Sequence, residues 1–562
     1  MKICAVICEY NPFHNGHLYQ LSQAKRLSGA DAVLCIMSGN FVQRGDTAIV
    51  DKFTRAKHAV LGGADIVIEL PTIFATSNAE LFAKGAISIL SSIPAVTTLC
   101  FGAETNDKAA FMKTATLLNE EPKEVSQCIK SLTSDGMSYA KARAIALTHM
   151  EKAKNLIASS IDKNCGWVVF NPNPATGYGT VTLPNGTCGY VENIPAKGYA
   201  TVAKVKSSNT IKVGRNTMEN KFFKLTFDGN MMLSSVYDKN AVREVLTEGQ
   251  KGNELRIYSD YPDLYDAWEW TEYSLESYNV IDQLEKVEAI QDGIRSGLRI
   301  TRHHQKSVIE QTIWLYDDID RIDFDTRVDW HERHQMLKTA FPVDVHSDYA
   351  TYDIQYGNIR RPTHKNTSWD AMKFEVCGHK FADLSEGDYG VTMFNDCKFG
   401  HDIHDGVMIL SLIRGSTFPD PEADQGEMTC TYSIRPHMGA LDLPKTSAMA
   451  YHLNNPLQIL RATGDGSVLP EEFFVVKSDK ENILCEVVKE AEDSNALILR
   501  LYEINNAKTS AQLTFGFDVA SVALCDMLEK EIKPLPVQNN TVDLPFGTFE
   551  IHTLKVLPAS KQ

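Results

Sequence analysis

The chain has 562 residues, is 43% hydrophobic and carries a formal net charge of −16, so it is long enough for several domains with sizeable cores. Its 12 cysteines include no CxxC pair, and no apolar run approaches the roughly 18 residues of a membrane helix. We therefore expect a reduced, cytoplasmic protein that has no membrane partner. The excess negative charge falls after residue 150, which argues against non-specific nucleic-acid binding by that later part.

Short apolar runs alternate with helical patterns over the first 120 residues. This alternation predicts a parallel sheet covered on both faces, with ligands bound at the carboxyl ends of the strands. The predicted strands are residues 3–8, 32–37, 66–70 and 97–102, and the predicted helices are 18–27, 52–61, 78–90 and 108–118.

The turn after the first strand holds two histidines, His14 and His17, separated by Asn15 and Gly16. Glycine allows a close approach of backbone to ligand, and the N-terminus of the helix that follows favours an anion. Two imidazoles beside such a position suit phosphate, because charge spreads over phosphoryl oxygens during transfer. The alternative interpretation is that both histidines only cap a turn.

This first segment resembles the HxGH nucleotidyltransferases, and closely the bacterial tRNA(Met) cytidine acetate ligases. The resemblance implies a Rossmann-like lobe that uses ATP, with magnesium, to activate acetate as acetyl-adenylate and to acetylate N4 of the wobble cytidine of elongator tRNA(Met). The matching blocks are EYNPFHNGH (9–17), MSGNFVQRGD (37–46), DKFTRAKHAVLGGADIVIELP (51–71), FGAE (101–104) and GMSYAKARAIAL (136–147).

The resemblance also implies the roles of individual residues. His14 and His17 would be catalytic, steadying the phosphates, whereas Lys52 and Arg55 are weaker candidates that a solvated helix face explains equally well. The family completes its site with an asparagine and an arginine from a later helical region, and the resemblance stops near residue 150, so we expect a truncated domain. The implied ATP-contacting residues are Ile7, Cys8, Glu9, Tyr10, Asn11, Pro12, Phe13, His14, Asn15, Gly16, His17, Leu18, Tyr19, Gln20 and Gly102.

After a helical stretch at residues 137–163, the periodicity changes to short strands broken by Gly, Asn and Asp. Helical periodicity is nearly absent there, which predicts all-β sandwich domains. We expect a nucleotidyltransferase-like domain over 1–150, a connecting helix over 151–165, a β-sandwich region over 166–435 and a C-terminal β-domain over 436–562. Representative predicted strands are residues 167–172, 221–227, 407–413 and 497–502.

The later part is similar to the C-terminal β-domains of family-38 alpha-mannosidases. The resemblance implies contact with mannose-containing carbohydrate. It also implies a zinc-dependent retaining reaction, which needs two carboxyl groups about 5 Å apart. The family carries its zinc ligands and its nucleophile on a barrel with an HxHxD motif. This sequence does not contain that motif. The blocks that carry the resemblance include VVFNPNP (168–174), YDAWEW (265–270), RRPTHKNTSWD (360–370), NDCKFGHDIHDGVMILSLIRG (395–415) and PDPEADQGE (419–427).

The resemblance gives two groups of candidate sugar-contact residues at the rim of that family's site: Asp266 with Trp268, and Asn395 with Asp396 and Lys398. Four further clusters look like ligand or acid/base sets, but we expect structural or solvated roles for them and predict no metal site. On a strand, for example, His331 and His334 would point to opposite faces. The four clusters are Asp329 with His331 and His334; His401 with Asp402 and His404; Asp317 with Asp318; and Glu422 with Asp424 and Glu427.

Three functional hypotheses follow from this composite pattern. The chain is an acetate ligase acting on tRNA with a replaced second half, or a mannosidase fragment that retains carbohydrate-binding β-domains without the catalytic barrel. The third hypothesis is that two gene fragments were joined by recombination, deletion or sequence assembly, and that the product has neither activity. Both resemblances break near the same residue, which favours the third hypothesis.

Overall fold

A computed structural model describes residues 1–43, 48–77, 79–102, 135–261 and 265–559. The predicted helix at 108–118, residues 44–46 of the second motif block and residues 103–104 of FGAE lie outside these described residues. The chain divides into two compact units, Met1–Ile145 and Ala146–Gln562. Within the described ranges, no helix combines the length and apolar character needed to cross a bilayer.

The first unit is a four-stranded parallel sheet with the strand order β3-β2-β1-β4. Its predicted strands, and the predicted helices that lie within the described residues, are confirmed, except that β4 is shorter than predicted and α1 begins three residues earlier. The elements are β1 (Ile3–Cys8), α1 (Asn15–Ser28), β2 (Ala32–Ser38), α2 (Lys52–Leu61), β3 (Ile66–Leu70), α3 (Thr72–Ala75), α4 (Ala79–Ser91) and β4 (Val96–Leu99).

Helices cover both faces of this sheet because its central strands are apolar on both sides. On one face, Cys4 and Val6 of β1 cluster with Leu21 of α1 and Ala59 of α2. On the other face, alternate residues of β1 cluster with α3 and α4. The sheet is therefore doubly wound, as the alternation of strands and helices predicts.

Helix α5 (Asp135–Ser159) leads through a short 3₁₀ turn, Lys163–Cys165, into the β-rich region. The end of this helix is anchored there, because Ala158 and Ile161 are buried against Val168 and Tyr199.

The rest of the chain is dominated by strands, as predicted. Those of its first part are β5 (Trp167–Asn171), β6 (Gly177–Thr182), β7 (Cys188–Ile194), β8 (Gly198–Val202), β9 (Lys212–Val213), β10 (Thr217–Glu219), β11 (Phe223–Phe227), β12 (Leu233–Asp238), β13 (Arg243–Glu244), β14 (Glu254–Ser259), β15 (Tyr278–Val280), β16 (Leu284–Asp292), β17 (Arg295–His304), β18 (Ser307–Tyr316), β19 (Ile322–Trp330), β20 (Gln335–Pro342), β21 (Tyr349–Ile354) and β22 (Gly357–Pro362). Those that follow are β23 (Val376–Cys377), β24 (Phe381–Ser385), β25 (Tyr389–Asn395), β26 (Gly400–His404), β27 (Val407–Ile413), β28 (Gly426–Met438), β29 (Gln458–Arg461), β30 (Glu472–Phe474), β31 (Val476–Ser478), β32 (Ile483–Glu490), β33 (Leu497–Glu503), β34 (Thr509–Phe515), β35 (Val519–Cys525), β36 (Glu531–Leu535), β37 (Thr541–Phe546) and β38 (Ile551–Pro558).

Two large antiparallel sheets form the main sandwich. The nine-stranded sheet has the order β16-β17-β18-β19-β28-β25-β24-β21-β22, and the six-stranded sheet has the order β15-β14-β20-β27-β26-β23. Their inner faces share one core, in which the ring of Phe324 on β19 meets that of Phe341 on β20 edge to face, with centroids 5.3 Å apart. A five-stranded sheet, β13-β12-β11-β10-β9, adds its inner residues to this core.

A second, smaller sandwich closes the chain. The sheet β31-β34-β37 packs against the sheet β32-β33-β38-β35-β36 through Leu513, Phe546, Leu499 and Leu554. The remaining strands form the sheet β29-β5-β8-β30 and the hairpin β6-β7.

Three short helical segments interrupt the strands: a 3₁₀ turn at Glu272–Leu275, α6 (Ser368–Ala371) and α7 (Leu443–Asn454). The sequence pattern does not predict α7. Residues 446–452 of this helix are all buried, so it has no polar stripe and no amphipathic period. Its local signals are Asp442, whose side chain caps the helix by accepting the Lys445 N–H, and Pro444 in its first turn.

Candidate functional site

The turn between β1 and α1 is built around Tyr10. This side chain is 1% exposed, and its ring contacts Phe13 and His17 with centroid distances of 5.0 Å and 4.7 Å. Phe13 in turn packs on Gly62 at the end of α2, where an added Cβ would lie only 2.5 Å from the phenyl ring. These aromatic contacts fix the path of the turn from within.

His14 and His17 form a reciprocal cap at the start of α1. The Gly16 N–H donates to Nδ1 of His14 over 3.1 Å, and the His14 N–H donates to Nδ1 of His17 over 3.2 Å. The two rings stack with centroids 3.6 Å apart. Because each Nδ1 accepts a backbone N–H, a neutral ring carries its proton on Nε2, where it remains a donor.

The pKa of His17 is lowered, first by burial and then by the charge of His14. A lowered pKa favours the neutral ring, which is the form that accepts the backbone N–H. The cap also changes which hydrogen-bond donors of the turn are free to bind an anion, because the Gly16 amide already donates to His14. The donors available at the helix start therefore include two imidazole Nε2–H groups, and not the Gly16 amide.

Polar side chains tie this turn to the loop after β2. Glu9 accepts the Gln43 N–H over 2.6 Å, and Asn11 Oδ1 accepts the Ile49 N–H over 2.8 Å. Glu9 and Asn11, both predicted to contact ATP, thus hold the loop by their side chains.

Arg55 is fully buried, so a solvated helix face does not explain it. Its guanidinium donates to the carbonyls of Val50, Ser38, Glu9 and Gly39. These carbonyls lie beyond or at the carboxyl ends of β1 and β2, so Arg55 holds the two site loops together.

Lys52, one turn earlier on α2, is partly exposed and pairs with Glu69 of β3 at 2.8 Å. The sequence did not single out Glu69 or Asn40, whose Oδ1 accepts the Lys52 N–H over 3.0 Å. The signal for both is their position at the ends of β3 and β2, where ligand-binding loops of parallel sheets occur.

The order β3-β2-β1-β4 places a topological switch between β1 and β4. Open α/β sheets bind ligands outside the carboxyl ends of the strands at such a point. Gly102 lies three residues after β4 and is exposed, and no atom of the described residues lies within 4 Å of an added Cβ. The other predicted contacts lie at the end of β1 (Ile7 and Cys8), within the turn (Pro12) and in the first turns of α1 (Asn15, Leu18, Tyr19 and Gln20).

In the second unit, Asp266 and Trp268 belong to a loop ordered by Asp266. The carboxylate is buried and accepts the N–H groups of Thr417 (2.5 Å) and Phe418 (2.7 Å) and the Thr417 hydroxyl (2.9 Å). Despite the opposing effect of burial, these bonds keep the pKa of Asp266 below its usual value. Trp268 is 63% exposed and contacts Tyr265 and Phe418.

The second predicted rim group, Asn395 with Asp396 and Lys398, lies in a turn that is fixed by hydrogen bonds of its own side chains. Asn395 is fully buried; its Nδ2 donates to the His379 carbonyl and its Oδ1 accepts the Lys398 N–H. Asp396 accepts the Thr431 N–H over 3.0 Å. In the part of the chain that is described, no hydrogen bond links this turn to the Asp266 loop, so the structure does not join the two rim groups into one site.

The histidine–aspartate clusters form pairs. His331 lies 2.9 Å from Asp329, His404 lies 2.6 Å from Asp402, and His401 points to the opposite face of β26 from that second pair. The prediction that His331 and His334 lie on a strand is wrong, because β19 ends at Trp330.

The two acidic clusters face lysine or arginine: Lys206 contacts both Asp317 and Asp318, and Arg333 contacts Glu422. Among the described residues, no three His, Cys, Asp or Glu side chains gather in a metal-binding group. These residues therefore do not assemble the donor set that a zinc ion requires.

Comparison with known families finds two unrelated families along the chain. Residues 1–172 match the family HIGH Nucleotidyl Transferase. Residues 218–422 match the glycosyl hydrolases family 38 C-terminal domain, and residues 482–554 match the family 38 C-terminal beta sandwich domain. The chain is composite. Its first part resembles one family and its later part another, as the motif blocks predict.

Individual relatives show the same pattern. Alpha-mannosidase 2C1 of Mus musculus is 30% identical over 453 residues, which cover 76% of this chain and 43% of that protein. The tRNA(Met) cytidine acetate ligase of Clostridium botulinum (strain Hall) is 45% identical over 163 residues, which cover 29% of this chain and 40% of that protein. The chain thus spans less than half the length of either relative.

Among solved structures, an alpha-mannosidase from Enterococcus faecalis V583 aligns with a TM-score of 0.61 at 15% identity, covering 75% of this chain and 60% of that one. At that identity the likeness concerns the fold alone.

Proposed function

We propose that the first unit binds ATP at the switch point between β1 and β4 and activates acetate as acetyl-adenylate for transfer to a cytidine of tRNA(Met). The observation that carries the proposal is the reciprocal cap, in which the Nδ1 atoms of His14 and His17 accept backbone N–H groups. Each neutral ring is thereby held with its Nε2–H available to a phosphate oxygen. The similarity to the Clostridium botulinum ligase supports the same assignment.

The proposed chemistry is a displacement at the α-phosphorus. An acetate oxygen forms a bond to that phosphorus, the bond to the bridging oxygen breaks, and pyrophosphate leaves with the electron pair. His14 and His17 stabilise charge on the phosphoryl oxygens by donating from Nε2, a positioning and electrostatic role. The cytidine N4 then attacks the acetyl carbonyl, loses a proton and releases AMP.

Magnesium would enter with ATP, because this ion keeps several waters and is commonly held by substrate phosphates and only one or two carboxylates. In the described structure two acidic groups of this unit already have partners: Glu9 accepts the Gln43 N–H and Glu69 pairs with Lys52. We therefore assign magnesium no dedicated set of protein ligands, and zinc takes no part in the proposed reaction.

The first experiment is an ATP–magnesium titration of the full chain by calorimetry, followed by acetate-dependent exchange of labelled pyrophosphate into ATP. We expect saturable ATP binding that falls at least tenfold in His14→Ala and His17→Ala. The control is His58→Ala, an exposed histidine of α2 in the same unit. Absence of ATP binding by the unmodified chain overturns the proposal, and binding without exchange overturns its catalytic part.

A second candidate function is binding of mannose-containing carbohydrate by the Asp266 loop. It is favoured by the exposed Trp268 side chain, held beside Tyr265 and Phe418 on a loop that Asp266 fixes. Aromatic faces of this kind provide an apolar platform next to polar groups. Titration with a mannose disaccharide should give weak binding that Trp268→Ala abolishes and Trp369→Ala, at another exposed tryptophan, leaves intact.

The junction between the two parts of the chain, near residue 150, has a separate test. An uninterrupted reading frame across codons 140–165 in long sequencing reads of the source genome supports a genuine gene. An interruption there supports the hypothesis that two fragments were joined and that the product has neither activity.

A further inference from the structure

A cavity of about 400 Å³ opens in the second unit, and none of its lining residues belongs to the proposed functions. It lies where the chain around Ala175 and the start of α7 meet the smaller C-terminal sandwich. Its volume falls within the range of small-molecule sites, which are mostly apolar with a few polar groups that fix orientation.

The apolar lining comes from several elements, among them one helix and two strands. Ala448 lies on α7, Ile483 and Leu484 lie on β32, and Leu501 lies on β33. Ile483, Leu484 and Leu501 are 4% exposed or less. This lining offers an apolar surface to the body of a ligand.

Lysines dominate the charged part of the lining. Lys445, Lys477 and Lys480 face two acidic residues, Asp442 and Glu481. Asp442 is already engaged in capping α7. Lys445 pairs with Asp320 at 3.4 Å and Lys480 with Asp479 at 2.7 Å. Within the described residues Lys477 takes part in no ion pair, and its ammonium lies 6.0 Å from the Phe474 ring centroid. Lys477 is therefore the lysine of this lining whose charge is open to a ligand.

Tyr178 borders this cavity and a smaller one of about 20 Å³. In the described structure its hydroxyl has no hydrogen-bond partner and is closed off from solvent, so a ligand in the larger cavity would not contact it. The charged recognition of a ligand therefore rests on the lysines.

We propose that this cavity binds a small amphipathic carboxylate, with its apolar body against α7 and β32 and its carboxylate among the lysines. The combination of an apolar lining and a lysine without an ion pair matches that class of ligand. A neutral compound of the same shape would leave Lys477 without a partner.

The test titrates the full chain with octanoate by calorimetry, with displacement of 1-anilinonaphthalene-8-sulfonate fluorescence as a second readout. We expect one saturable site for octanoate and at least tenfold weaker binding of 1-octanol. Lys477→Glu should weaken octanoate binding about fivefold or more, a modest effect because the lysine is exposed. Ala448→Phe, which fills the cavity, should abolish binding.

The matched control is Lys508→Glu, which makes the same charge change at an exposed position outside the cavity lining. Equal weakening by both lysine variants would attribute the effect to net charge and overturn the proposal. Equal affinity for octanol and octanoate would overturn it too, as would absence of a saturable site. Ala448→Phe alters a buried helix, so the melting temperature of this variant is compared with that of the unmodified chain. If the variant is unfolded, the comparison of Lys477→Glu with Lys508→Glu decides the test.

Discussion

The imidazole rings of His14 and His17 stack at 3.6 Å, and each ring accepts a backbone N–H through Nδ1. The same two side chains thus complete the helix start and retain an Nε2 donor each. Gly16 is part of this arrangement, because an added Cβ would lie 3.0 Å from the His14 ring. Capping and the proposed phosphate contact are consequently two roles of one residue pair, and they can be separated by substitution.

His14→Asn and His14→Ala should separate these two roles. Asparagine is a good N-cap and retains the bond to the Gly16 amide but lacks the Nε2 donor, whereas alanine lacks both. We expect ATP binding to fall at least tenfold in both variants. The local stability of α1 should fall by about 1 kcal/mol in His14→Ala only, measured by hydrogen exchange of peptides from residues 15–28. Unchanged ATP affinity in His14→Asn would reduce His14 to a cap.

Arg55→Met should loosen both site loops. Loss of the guanidinium leaves buried carbonyls of Ser38 and Gly39 without their donor, so we expect a loss of about 3 kcal/mol. All six tryptophans lie in the second unit, so tryptophan fluorescence cannot report this change and hydrogen exchange over residues 1–100 is the measurement. Lys57→Met, an exposed position on the same helix, should stay near the unmodified value.

Much of the fold was predictable from the sequence, because its signals are local. The apolar runs of β1 and β3 coincide with the observed strands, and α2 begins and ends at the predicted residues. Helix α7 was missed because burial on every side removes the period of 3.6 residues that marks a surface helix.

The roles of polar residues were less predictable, because they depend on contacts between distant segments. Arg55 was explained equally well as part of a solvated helix face, but the side chain is buried. Its partners Glu9 and Ser38 are distant in sequence, so the pattern of its own helix does not reveal them. His331 pairs with Asp329 across the end of β19, which stops at Trp330 where a pattern of alternation would continue the strand. The motif predicted where the turn lies, and capping by its histidines was the alternative interpretation. The structure contains that cap, in which both Nδ1 atoms accept backbone N–H groups.

Asp266→Asn should destabilise the loop that carries Trp268. Asparagine cannot supply the charged acceptor that binds the Thr417 and Phe418 N–H groups, so we expect a loss of about 2 kcal/mol. Quenching of tryptophan fluorescence by acrylamide should rise, together with exchange at residues 417–418. Glu422→Gln is the control, since its carboxylate forms an exposed pair with Arg333 that contributes less than about 1 kcal/mol.

The second unit should lose stability as the pH falls below about 6.5. His401 is fully buried, both of its ring nitrogens lack partners among the described residues, and burial lowers its pKa to about 3. In the unfolded chain this residue binds a proton as the pH falls through about 6.5, whereas in the folded chain it does so only near pH 3. Protons therefore favour unfolding over the whole interval between about pH 6.5 and pH 3.

The expected loss from His401 alone is about 3 kcal/mol at pH 4. His452, whose burial lowers its pKa to about 4, acts in the same direction. His401→Leu should flatten the decline of the tryptophan-monitored unfolding free energy between pH 7 and pH 5, whereas His346→Leu, at an exposed position, should leave the slope unchanged. An identical slope in the His401 variant would mean that the folded state gives this ring access to a proton, which contradicts its enclosure.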